Sequence, residues 1–141
     1  MTLNKLISRV RSYTNDNTAS LFSTNDITDF INEAIDRLKH IPELSNMIYL
    51  EGNDDLPTLL PQQYHYILAL YSASKCFSQD EQNYLAQLFM DEFLTMITLL
   101  ENGIKDGTII IVDSQGNSVS LNNEFDGVVD VYFTTGGGYN V

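Results

Sequence analysis

Residues 61–81, PQQYHYILALYSASKCFSQDE, hold the only cysteine, Cys76, one of two histidines, His65, and the adjacent acids Asp80 and Glu81. These residue types do nucleophilic, metal-binding and acid–base chemistry. Their spacing argues against all three. His65 and Cys76 stand eleven residues apart on one predicted helix, hence about 16 Å apart along its axis. That is too far for a shared metal or a nucleophile–base pair. His40 ends a different predicted helix, so a tertiary pairing with Cys76 stays open. A lone cysteine beside Phe77 otherwise reads as a small core residue. Neighbouring acids on a helix do not face each other. Asp80–Glu81, Asp54–Asp55 and Asp91–Glu92 are therefore weak acid/base pairs, and Asp80–Glu81 suits a helix start. Asn53, Asp54 and Asp55 lack the ligand spacing of a calcium loop. Gly136–Gly138 has no Lys or Ser/Thr at phosphate-loop spacing. No enzymatic activity, cofactor or metal is expected.

The elements that would position these residues are mainly helical. Leu3, Leu6, Ile7 and Val10 predict a short first helix over residues 3–13, followed by a polar loop, TNDNTAS. Phe22, Ser23, Asp26 and Ile27 fit a hydrophobic staple and capping box. Behind them Ile27, Phe30, Ile31, Ala34, Ile35 and Leu38 form an apolar stripe. Glu33 and Arg37 fit an i,i+4 pair, and Pro42 ends the helix near His40. Met47–Leu50 reads as a strand or strap and EGNDDLP as a turn. A third, central helix opens at Pro61, with Tyr64, Ile67, Leu68, Tyr71 and Ser74 on one face. Ser78 and Glu81 suggest a second capping box opening a fourth helix. Its face is Leu85, Leu88, Phe89, Phe93, Met96, Ile97 and Leu100, and Gly103 is its expected left-handed cap.

After Gly103 the composition turns β-branched, and DSQGNS looks like a hairpin turn. The expectation is a four-helix bundle over residues 1–103 with a small C-terminal β-hairpin arm and tail over 104–141. Val129, Val131 and Phe133 would share one face of that arm, with Tyr132 on the other. Such an arm either pairs with a neighbouring subunit or folds back over its own bundle. Ile109, Ile111, Val129, Val131, Tyr132, Phe133 and Tyr139 are the candidate interface residues.

The chain has 141 residues, 19 acids and 7 bases, and a formal net charge of −12. One domain of that length buries a core without disulfides. The single cysteine and the absence of a signal-peptide pattern make reduced cytosol the natural expectation. No apolar run is long enough for a membrane span. The acidity repels a phosphate backbone, but it is uneven: residues 1–15 carry Lys5, Arg9 and Arg11 and no acid. That basic stretch is either a solvated face or a contact for an acidic surface on a neighbour.

The helix order, together with the run Pro61–x–x–Tyr64–His65 … Ala73–Ser74–Lys75 … Asp80–Glu81 … Ala86 … Phe89 … Phe93, resembles the head–tail connector (adaptor) proteins of tailed bacteriophages. The likeness covers residues 1 to about 100. It implies a structural virion protein, made in the bacterial host cytoplasm and located in the neck. It also implies a ring, usually of twelve copies, beneath the portal protein, although the isolated chain can be a monomer. The ring would extend the DNA channel and dock the next neck or tail protein, while genome DNA passes without specific binding. Asp54, Asp55, Asp91 and Glu92 are the candidate channel-facing acids. The rival expectation is a small DNA-binding regulator of helix-turn-helix or ribbon-helix-helix type, built around SLFSTNDITDFINEAIDRLK. Its recognition helix would carry more acids than bases.

Overall fold

The computed structural model describes residues 1–119. Four helices make the body: α1 (Leu3–Thr14), α2 (Thr24–Leu38), α3 (Tyr66–Gln79) and α4 (Asn83–Asp106), with short 3-10 turns at Pro42–Leu44 and Gln62–Tyr64. The fold is mainly helical, and no strand is present among the described residues.

The first two helices start as their sequences dictate. Thr2 caps α1 by accepting the Lys5 N–H, and Ser23 caps α2 by accepting the Asp26 N–H. Phe22 and Ile27 are both buried beside that cap. Leu3, Leu6, Ile7 and Val10 of α1, and Ile27, Ile31, Ala34, Ile35 and Leu38 of α2, enter the core, with Phe30 half-buried against it. Periodicity alone placed these faces correctly.

α3 is the hub, packing against each of the other three helices. It is buried nearly all round, from Ile67 through Phe77 with Lys75 the exception. A helix surrounded on all sides needs its polar atoms satisfied. Ser72 Oγ donates to the Ile27 carbonyl at 3.4 Å, and Ser74 Oγ donates to the Ala86 carbonyl at 2.7 Å. Tyr71 packs on Phe93 with ring centroids 5.0 Å apart, and Phe89 of α4 lies between Phe77 and Tyr13.

Four local expectations are corrected. α3 does not open at Pro61: i→i+3 bonds from Tyr64 to Pro61 and His65 to Gln62 make a 3-10 turn first, and α3 follows at Tyr66. Ser78 and Glu81 form no capping box. Ser78 is still inside α3, and Glu81 is left-handed at φ 59°. Gln82 N–H bonds the Phe77 carbonyl and Glu81 N–H bonds that of Ser78, the paired bonds of a Schellman stop. Asp80 and Glu81 therefore sit between the end of α3, whose dipole is unfavourable to acids, and the start of α4, whose dipole favours them. Glu33 does not pair with Arg37. It reaches Lys75 at 3.8 Å and accepts from Tyr71 Oη, while the Arg37 guanidinium lies over the Tyr71 ring. Finally, α4 runs past Gly103 to Asp106, and Gly107, at φ 83°, is the left-handed cap.

The strap from Met47 to Leu50 forms no strand. Met47 and Leu50 are buried, and the Asn32 side-chain amide holds both the N–H and the carbonyl of Leu50. After Gly107 the chain returns onto the body. Val112 and Ser118 form an isolated antiparallel bridge around a turn in which Asp113 accepts the N–H groups of Gln115 and Asn117.

Candidate interaction surfaces

His65 is buried ahead of α3, with Nε2 2.8 Å from the Leu60 carbonyl and Nδ1 2.7 Å from the Met1 amino nitrogen. Burial holds its pKa below the ordinary histidine value. The Leu60 carbonyl opposes that, and the amino-terminal charge adds to it. Cys76 is fully buried inside α3, and burial pushes its thiol up to about 12. A thiol held neutral in this way is neither nucleophile nor metal ligand at neutral pH. Ser72, one turn earlier on α3, donates to the Ile27 carbonyl near the start of α2, so Cys76 lies toward that end of α2. His40, exposed just past the far end of that helix, is about 20 Å further along. The two do not pair. Among the described residues no group of three or more His, Cys, Asp or Glu side chains is placed to hold a metal ion.

Asp16 is the buried charge that sequence reasoning missed. Its carboxylate accepts the N–H groups of Ser20, Leu21 and Phe22 and the Arg11 guanidinium at 2.9 Å. Burial alone would raise its pKa. The three backbone donors and the Arg11 charge outweigh that and hold it low. Arg11 also donates to the Phe22 carbonyl and Thr24 Oγ1. This knot fixes the α1–α2 loop, which is a structural role. An Arg five residues ahead of an Asp in a polar loop was the available signal.

The four candidate channel acids fall on two elements, and each is exposed. Asp54 and Asp55 lie in the turn after the strap, Asp91 and Glu92 on α4. Asp55 braces its own turn. Its carboxylate accepts the N–H groups of Glu51 and Gly52, which hold its pKa low. Its carbonyl accepts the Leu3 N–H. Asp91 accepts from Gln87 Nε2, one turn back.

Of the candidate interface residues, Ile109 is half-buried over Gly103 and Ile111 is only 2% exposed in the core. In the single chain these two residues thus pack against their own body. The neighbours that stay outside are Ile110 and Val112. Val129, Val131, Tyr132, Phe133 and Tyr139 lie outside the described residues.

Three further surfaces stand out. The outer face of α4 leaves Tyr84, Leu88, Leu94 and Leu99 between 46% and 76% exposed; Leu88, expected in the core, belongs to this group. Lys5, Ser8, Arg9 and Ser12 line a shallow depression along α1 with Met1. Asp29, Asn32, Glu33 and Asp36 of α2 line another with Tyr49 and Glu51 of the strap. No family model, curated protein or solved structure matches this chain.

Proposed function

We propose that this protein is a structural adaptor of the tailed-bacteriophage neck. In this reading it assembles as a ring under the portal protein, extends the DNA channel and presents a docking surface to the next neck or tail protein. The observation that carries the reading is the outer face of α4. Tyr84, Leu88, Leu94 and Leu99 stand exposed along this long helix, and in this reading they are the apolar contacts that a docking partner would cover. The acidic balance of the chain suits a wall past which DNA slides without sticking. The regulator reading is weaker, because α2 would present Asp26, Asp29, Glu33 and Asp36 to a phosphate backbone.

The test is to mix the protein with its cognate portal and image the product by electron microscopy. A ring seated on the portal is expected. Absence of any ring, together with salt-dependent binding to duplex DNA, would replace this reading with the regulator.

A further inference from the structure

We propose that the basic face of α1 in one copy docks against the acidic face of α2 in a second copy. The proposal rests on the ring-forming reading above and names the surfaces that would join neighbours in it. Lys5 and Arg9 are exposed one helical turn apart, with Ser8 and Ser12 beside them in one depression. Neither makes an ion pair among the described residues, whereas Arg11 is bound to Asp16 and Lys75 to Glu33. Arg37 and Lys39 lie over the rings of Tyr71 and Tyr49. Among the described residues Lys5 and Arg9 are thus left facing solvent, as is Lys105 near the end of α4.

The α2 face is their complement. Asp29, Glu33 and Asp36 recur at helical spacing, and Glu51 of the strap joins them. Among the described residues, the one cation within 4.0 Å of these acids is Lys75, at 3.8 Å from Glu33. Like charges three and four residues apart repel along a helix, so an outside cation relieves this face. The pitches match: Lys5 and Arg9 are about 6 Å apart along their axis, as are Asp29 and Glu33. Two helices laid side by side bring each base against an acid. Because the two faces are different patches, the contact is head to tail, and it continues into a closed ring or a filament. Exposed ion pairs are individually weak and screened by salt. The contact is therefore expected to be faint between free copies and effective when a platform holds many together.

Arg9→Cys and Asp29→Cys proteins, mixed and treated with a short bismaleimide, test the contact, since buried Cys76 does not compete. The mixed cross-link should exceed either self-cross-link about tenfold at low salt and decline as salt rises. Equal yields of the three products, or no mixed product, would overturn the proposal. Charge reversal supplies the second arm. Lys5→Glu/Arg9→Glu and Asp29→Lys/Glu33→Lys proteins, each checked for helicity, should fail separately and assemble when mixed. Normal portal-seated rings from Lys5→Glu/Arg9→Glu alone would overturn this contact and leave the adaptor reading standing. If wild-type protein forms no ring on the portal, the adaptor reading fails, and the cross-link yields still decide the contact.

Discussion

Gly103 gives a prediction whose sign depends on a tertiary contact. It lies inside α4 and is buried, where replacing glycine by alanine ordinarily stabilises a helix by up to about 1 kcal/mol. Here an added Cβ would stand 2.7 Å from Ile109 Cγ1, closer still to Cδ1, and 3.3 Å from Thr108 Oγ1. Ile109 is β-branched and stiff, and its N–H is tied to the Gly103 carbonyl at 2.9 Å, so it cannot easily step aside. Overpacking of this kind costs about 1–3 kcal/mol. Gly103→Ala should therefore destabilise the native protein by about 0–2 kcal/mol. In an Ile109→Ala background the main obstacle is gone and only the Thr108 Oγ1 contact at 3.3 Å remains, so the same change should stabilise by up to about 1 kcal/mol. The assay is urea unfolding of all four proteins followed by far-UV circular dichroism, compared at constant m. The double-mutant cycle should give a coupling of about 1–3 kcal/mol. Equal effects of Gly103→Ala in both backgrounds, or clear stabilisation in the native one, would refute the docking of Ile109 on α4.

Three further outcomes are expected. Glu81→Gly should stabilise the protein by about 1 kcal/mol, read as a higher urea midpoint, because the left-handed conformation at φ 59° strains any residue with a Cβ. Cys76 should resist alkylation in the native protein at mildly alkaline pH and react fully in denaturant, because its thiol titrates only at about 12; prompt native labelling would show that α3 is not the buried hub. His65 has a folded pKa below its unfolded value, so the unfolded chain takes up the proton first. The His65 contribution to stability should then be unchanged above the ordinary histidine pKa of 6.5 and decline as pH falls below it toward the folded value, while the Met1 amino group, its pKa also lowered by burial, adds its own decline from a higher pH. His65→Gln should flatten that decline, and an unchanged pH profile would show that some other group titrates.

The acids offered for a channel wall also change in standing. Asp55 holds its own turn through the Glu51 and Gly52 amides, so Asp55→Asn would mix a folding effect with any effect on DNA passage. Asp91 and Glu92 lie one turn after Leu88, on the side of α4 proposed to take a partner, so Asp54 is the cleaner position for neutralisation. Impaired passage with intact rings is expected from Asp54→Asn, and normal infectivity would reject its channel role.

What the sequence determined by itself was local. Apolar positions at helical spacing fixed the faces of α1 and α2, because a helix buries whatever its 3.6-residue period collects on one side. Ser23 fixed the start of α2, because an orphan N–H needs an acceptor a few residues away. The spacing of His65 and Cys76 already separated them, because a helix sets that distance. Tertiary structure decided the rest. Glu81 turns left-handed and Ser78 stays helical because α4 must fold back antiparallel against α3 to cover Phe77 and Tyr71. Glu33 leaves Arg37 for Lys75 and Tyr71 because α3 arrives beside it. Asp16 became a buried carboxylate only when the loop closed round it and brought Arg11 within reach. Leu88 looked like core by period, yet α3 covers only one side of α4 and Leu88 falls on the side left in water.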